Sequence, residues 1–297
     1  MAEERNITGF EEAPPPVSEW RRFRRVFFSR GVVLFGLIIL VLLFLVAVLA
    51  PWISPYDPYK MSVGKSLEHP SSQHLLGTDI LGRDTLSRLI YGSRTALMVG
   101  FISVGIAGVI GIPLGIIAGY LGGFLNTIIM RTMDALLCFP MLLLALVLAA
   151  VLGGGIQNVI VALSVATIPG YARVACGVTM SIRENDYILS AQAMGSSDAL
   201  IMFKHILPNT FPPLIVLMTM QLGALILAEA GLSFLGIGIE PPGAAWGAMV
   251  NAGRNYLLNN PELSFSPCIA IMLVVFAFNM VGDGLRDALD PRLRGLL

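Results

Sequence analysis

The chain has 297 residues, of which 56% are apolar and only 13% charged, and its mean hydropathy is +0.78. That balance excludes a soluble domain of this size and points to a polytopic membrane protein. Lys and Arg together number 19, as do Asp and Glu, so the net charge is zero and no nucleic-acid footprint is expected.

Residues 1–16 combine acidic side chains with Pro14, Pro15 and Pro16 and read as a disordered or extended tail. Next, Trp20, Phe23, Val26 and Phe27 interleave with Arg21, Arg22, Arg24 and Arg25, which gives a helix one aromatic and one basic edge suited to the inner headgroup layer. Two readings stay open for it: an elbow that braces the first span, or a topology anchor. A helix needs about 20 apolar residues to cross roughly 30 Å of hydrocarbon. Six runs meet that need: Val32–Trp52, Thr95–Leu121, Asn126–Leu152, Ile156–Tyr171, Phe211–Leu235 and Ser264–Val281. The first is too long and too far from the start for a cleaved signal peptide, and Ala50-Pro51-Trp52 makes a poor cleavage site, so it reads as a retained span.

After the first span, a loop punctuated by Pro51, Pro55, Pro58 and Pro70 leads to a short helix capped by Thr78 or Asp79, with Leu86, Leu89 and Ile90 on its apolar edge. Asp84 and Arg88 are four apart there and are expected to form a surface ion pair worth about 0.3–0.5 kcal/mol. Within the second span Ser103, Ala107, Gly111, Gly115 and Gly119 recur every fourth residue, leaving one helix face nearly bare. Lipid tails are as apolar as the helix, so association in membranes relies on such close approach, within the subunit or across a subunit boundary. Arg131 and Asp134 are three apart near the inner end of the third span and are expected to pair, as a structural contact or as part of a gate.

A polar interruption from Arg173 to Pro208 separates the fourth and fifth spans and contains a second, short helical pattern. Ser190, Ala191, Ala193 and Gly195 strip bulk from one side of that helix, which is expected between about Asp186 and Phe203, and Pro208 is expected to stop helix continuation before the next span. A small-residue helix of this kind suits a partner's groove, so the segment reads as a docking element. In the fifth span Glu229 either lines a translocation path or meets a cation such as Arg94. Residues 237–262, with Pro241, Pro242, Trp246 and Tyr256, read as an ordered outer loop. Beyond the last span, Arg286 and Asp290 are four apart on a helix that Pro291 ends. Cys138, Cys176 and Cys268 are odd in number, lack paired spacing and read as packed thiols.

Lys and Arg near span ends stay on the cytoplasmic side. With both termini inside, 13 of the 19 Lys and Arg residues fall on cytoplasmic segments and six outside, which also places the 173–208 interruption in the cytoplasm. The resulting division is a cytoplasmic tail with an interfacial helix over 1–30 and a transmembrane domain over 31–297. That domain carries outer loops at about 53–93 and 237–262, an inner loop at about 173–209 and an inner tail at 283–297.

The interruption is similar to the coupling loop of ATP-binding-cassette importer permeases, whose pattern is Glu-Ala-Ala, three residues, Gly, nine residues, Ile, one residue, Leu-Pro. Aligned on Gly195, Ala191, Gly195, Leu207 and Pro208 match, whereas Leu189 and His205 depart and instead resemble the peptide and nickel subfamily. Four further blocks agree: Leu76-Gly-Thr-Asp-Ile-Leu-Gly-Arg-Asp84 with Tyr91-Gly92; Gly119-Tyr-Leu-Gly-Gly123; Leu232-Ser-Phe-Leu-Gly236 with Pro241-Pro242 and Trp246-Gly247; and Gly282-Asp-Gly-Leu-Arg-Asp-Ala-Leu-Asp-Pro291. The chain thus resembles the C-type permease subunit of dipeptide and oligopeptide importers. The resemblance implies an all-α, type I importer permease fold with six transmembrane helices in the bacterial cytoplasmic (inner) membrane. It implies pairing with a homologous B-type permease subunit, two ATPase subunits that bind ATP and Mg, and an extracytoplasmic solute-binding protein. The coupling residues it implies are Tyr187, Ser190, Ala191, Ala193, Met194, Gly195, His205, Leu207 and Pro208. Peptides are the solute expected of the subfamily, whose members also import nickel chelates, oligosaccharides, opines and glutathione.

No chemistry of the chain's own is expected. Gly64-Lys65-Ser66 lacks the first glycine of a phosphate loop, because Tyr59 stands there. Gly231 and Ser233 approach a serine-hydrolase turn, but Leu235 replaces its last glycine and His69, His74 and His205 fall outside the spans. No His, Cys or carboxylate spacing suits a metal. A proton-driven secondary transporter would need ionisable groups around a central cavity, and Glu229 is the one strong mid-chain candidate.

Overall fold

The computed structural model describes residues 19–289. The expected tail over 1–16, Arg5, the side chains of Trp20 and Arg22, and Asp290, Pro291, Arg292 and Arg294 of the expected ending lie outside the described features. The helices are α1 (Glu19–Ser29), α2 (Gly31–Ile53), α3 (Thr85–Leu121), α4 (Gly123–Leu137), α5 (Met141–Leu152), α6 (Ile156–Arg183), α7 (Asp186–Ala193), α8 (Asp198–Ile201), α9 (Leu207–Phe234), α10 (Trp246–Gly253) and α11 (Glu262–Leu289). A π-turn, Met202–Ile206, joins α8 to α9. Helices suit a bilayer because each satisfies its own backbone donors and acceptors.

Among the described residues, five helical segments are long and apolar enough to cross a membrane: α2, α3, α6, the continuous run Asp198–Phe234, and α11. The sixth expected span is a broken one. α4 and α5 meet at 88°, because Pro140 has no N–H to continue the ladder and pushes Phe139 away from helical geometry. Three expected boundaries also move. α3 begins at Thr85, so the expected short helix is its first turns, and its cap is Asp84, which accepts from the Ser87 N–H at 2.8 Å, rather than Thr78 or Asp79. α6 runs on to Arg183, since Ala172, Ala175, Cys176 and Thr179 remain buried beyond Tyr171. α11 extends on both sides of the expected Ser264–Val281.

The tightest assembly in the bundle is α3 on α6. A Cβ added at Gly111 would lie 2.7 Å from the Ile168 carbonyl oxygen, one at Gly119 would lie 2.7 Å from that of Cys176, and one at Gly115 would fall on the Ala172 carbonyl. Ala107 and Ser103 continue this contact, both fully buried, and the Ser103 hydroxyl reaches the Ile160 carbonyl at 3.4 Å. The bare face therefore serves a contact inside this subunit, with backbone meeting backbone. α9 packs on both α3 and α11, while α2 packs on α11, where Gly36 meets Ala277 and Met280 and Val33 meets Gly284, and also on α3. α1 packs on α11, burying Phe27, and Arg30 pairs with Asp287. The elbow thus braces the last span more than the first.

Replacing Gly115 by Val is expected to part α3 from α6 at a cost of about 1–3 kcal/mol or more, seen as a lower unfolding temperature of the purified protein in detergent. Gly105→Val, where nothing lies within 4 Å of an added Cβ, is the matched control and is expected to leave that temperature unchanged.

Candidate functional site

The inner loop is built to hold a short helix rigidly against the bundle while offering its other side outward. Ile188, Ala191, Ile201 and Ile206 are buried and form the anchoring side. α7 ends by giving the Gly195 N–H to the Gln192 carbonyl at 2.9 Å and the Ser196 N–H to the Ala191 carbonyl at 3.1 Å. This pair of bonds is the Schellman ending, and it needs a left-handed residue, which Gly195 supplies at φ +80°. Ser197 then caps α8, its hydroxyl accepting from the Leu200 N–H. The helix expected up to Phe203 therefore stops at Ala193, and the chain turns before starting again.

The expected coupling residues divide between the two sides. Ala191 faces inward, which corrects the picture of a uniformly small outer face. Tyr187, Ser190, Ala193, Met194 and Gly195 are exposed; His205 and Leu207 are half-buried. Leu189, Leu200 and Phe203 join Tyr187 and Met194 as large apolar groups open to the surroundings, with Met194 79% and Phe203 70% exposed. Leu189 stands where the general family pattern has a glutamate, and it adds a further exposed apolar group to this side of α7. Pro208 does not stop the helix. The π-turn before it, closed by the Leu207 N–H to the Met202 carbonyl, gives the ring room, and the Asn209 amide donates to the His205 carbonyl at 2.6 Å. Next to this loop an open cavity of about 790 Å³ lies between the inner ends of α6, α9 and α11, with Tyr187, Asn185, Asn209 and Arg286 on its walls.

On the opposite end, residues 54–84 and 235–261 form one stitched cap. Arg88 is buried and donates to the carbonyls of Pro58 at 3.0 Å, Gly243 at 3.1 Å and Pro242 at 3.4 Å. It does not pair with Asp84, whose carboxylate takes the Ser87 N–H and hydroxyl and lies 2.9 Å from His74 Nδ1. Asp79 takes the Arg83 Nε at 2.7 Å, with the Arg88 Nε 3.7 Å away. The Trp246 indole donates to the Leu89 carbonyl at 2.9 Å, and the Asn260 amide to that of Leu67 at 3.2 Å. His74, Arg83 and Asn260 were not singled out from the sequence; the Leu76–Asp84 block was the signal that held two of their partners. A cavity of about 370 Å³ opens in this cap beside Arg83, Arg88 and Glu240.

The remaining expectations resolve as follows. Asp134 pairs with Arg173 of α6 and not with Arg131, since the extension of α6 brings Arg173 alongside α4. Glu229 is 1% exposed and accepts from the Ser233 hydroxyl at 2.7 Å, which in turn accepts from the Ile239 N–H at 3.2 Å. Its carboxylate thus ties α9 to the chain leaving it; within this subunit it lines neither cavity and does not meet Arg94, which lies over the Tyr91 ring. Of the three thiols only Cys176 is packed; Cys138 and Cys268 are exposed on this chain.

Comparison with known proteins places this geometry. The family described as "Binding-protein-dependent transport system inner membrane component" matches residues 111–295, and "N-terminal TM domain of oligopeptide transport permease C" matches residues 18–70. The chain is 42% identical over 276 residues to the glutathione transport system permease protein GsiD of Pectobacterium atrosepticum, covering 93% of this chain and 92% of the relative. It is 44% identical over 277 residues to the protein of the same name from Escherichia coli, covering 93% and 90%. Among solved structures it is similar to an inward-facing MetNI methionine transporter chain, with a TM-score of 0.56 at 22% identity, covering 68% of this chain and 96% of that one. That likeness speaks to fold alone.

Truncating Arg88 leaves the buried Pro58 carbonyl without its donor, at a cost of about 1–3 kcal/mol, and removes the tie to the carbonyls of Pro242 and Gly243. Arg88→Met is expected to make both outer loops cleavable by added protease in spheroplasts under conditions where the parent resists.

Proposed function

The chain belongs to the family of binding-protein-dependent transport inner membrane components, the permeases of ATP-binding-cassette importers, and from that membership we propose that it forms half of the path by which short peptides enter the cell. It is a multi-pass inner membrane protein and a permease subunit. In the proposed assembly a homologous permease subunit completes the path, two ATPase subunits bind ATP and Mg and carry out hydrolysis, and a solute-binding protein delivers from outside. Glutathione is the first solute to try: it is a tripeptide, and relatives more than 40% identical over nine-tenths of this chain carry its name. Specificity in such an assembly is shared with the binding protein, a separate chain.

The observation that carries this reading is the inner loop. Its apolar residues Tyr187, Leu189 and Met194 are open on a helix whose other side is locked into the bundle by Ile188 and Ala191. A rigidly mounted helix with an uncovered apolar face fits a groove on a partner. If the ATP-bound partner grips it in a different place from the nucleotide-free one, the loop transmits that difference to the spans; equal contact in both states would shift nothing. The stitched outer cap is the surface on which a binding protein would dock.

Two measurements check this. In the reconstituted transporter, Gly195→Val, which strains the left-handed turn, and Met194→Asp, which charges the uncovered face, are each expected to lower ATP-driven uptake of glutathione or of a di- and tripeptide mixture more than tenfold (~1.4 kcal/mol per tenfold), while membrane insertion persists. Undiminished uptake would defeat the coupling role. For sidedness, in a variant lacking Cys138, Cys176 and Cys268, a membrane-impermeant maleimide is expected to label Leu75→Cys on intact cells and Met194→Cys only after permeabilisation; the reverse would overturn both the cytoplasmic termini and the loop assignment.

A further inference from the structure

The Gly119–Gly123 block has no part in the docking surface, yet its tyrosine lies where the loop meets the bundle. Tyr120 is 4% exposed at the inner end of α3. Its hydroxyl donates to Asp198 Oδ1 at 2.9 Å and accepts from the Gln192 amide at 3.2 Å, while its carbonyl accepts from Arg183 Nη1 at 2.8 Å. These partners belong to α8, α7 and α6, so a single residue of α3 holds the loop on both sides of the Gly195 turn and the helix that enters it.

Connectivity gives this contact its weight. The loop is covalently continuous with α6 through Glu184 and Asn185, and with α9 through the π-turn. α3 has no such link, although its glycine stripe makes it the closest companion of α6. Movement of the loop therefore reaches α3 through packing, by way of α6, α9 and the π-turn, and through the polar contacts of Tyr120, whose hydroxyl alone ties α7 and α8 to it. We infer that Tyr120 is a positioning residue for energy coupling, clamping both limbs of the loop to α3 so that the loop and the α3–α6 pair shift as one body. The inference rests on the proposed docking role of the loop. Removing the hydroxyl leaves the ring packed in the core and the Arg183 contact in place but unties α7 and α8 from α3, so that those two helices can follow an ATPase further than α3 does.

The test uses the complete transporter in liposomes, with spin labels at Leu121 and Ala199, both exposed, and distances measured without nucleotide and with ATP plus vanadate. In the parent the distance is expected to be the same in both states. In Tyr120→Phe a second, longer distance is expected to appear on nucleotide trapping, with fewer glutathione molecules taken up per ATP hydrolysed. Asp198→Asn, which keeps an acceptor, is expected to match the parent, and Asp198→Leu to reproduce Tyr120→Phe. A purely structural role would reduce the yield of complex without creating a nucleotide-dependent distance. If Tyr120→Phe fails to assemble, the exposed Asp198→Leu substitution decides the matter. Unchanged distances in both disruptive variants would overturn the clamp while leaving the docking role standing; the Gly195 and Met194 variants test that role separately.

Discussion

The structure depends on the approach of α3 to α6 without intervening side chains. In a bilayer no hydrophobic force separates a helix pair from a helix in lipid, so the pair persists through close packing and weak polar contact between backbones. Gly111, Gly115 and Gly119 allow the α6 carbonyls of Ile168, Ala172 and Cys176 to sit against the α3 backbone. The rest of the bundle builds on this pair: the outer cap sits on the first turns of α3, the inner loop grows out of the end of α6, and α9 packs on both, with α11 against α9.

The two ends of the bundle use polar groups in opposite ways. At the outer end, the side-chain donors Arg88, Trp246 and Asn260 reach carbonyls on segments distant in sequence, so a region with little regular structure becomes a fixed surface. At the other end, Tyr120 and Arg183 join the loop to the bundle from behind its exposed apolar side. The face itself is left apolar and uncovered.

How much of this was legible follows from where each signal resides. The fourfold spacing of small residues announced a helix contact, but the partner side of that contact is carbonyl oxygen, which leaves no mark on a sequence. Gly195 was legible because only a special backbone angle explains it. The ends of α6 and α11 were not, since helices continue past the bilayer into water and polar residues such as Arg173 and Ser181 there look like loop. Sequence proximity misled the expected pairs: Asp134 takes Arg173 from α6, and Asp84 lies against His74, ten residues before it, and not against Arg88. The break at Pro140 follows from its chemistry, whereas the tolerance of Pro208 depends on the wider turn before it.

That wider turn also sets a phase. Along the run from the loop into the fifth span the buried positions are Ile201, Ile206, Thr210 and Leu214, separated by five, four and four residues. Each residue advances a helix by about 100°, so the extra one in the π-turn rotates everything downstream by that amount. An unbroken α-helix would have carried His205 inward and swung the contact stripe of α9 off its neighbours. The turn therefore acts as a spline between two shafts, fixing the azimuth of α9 at a set offset from that of α8.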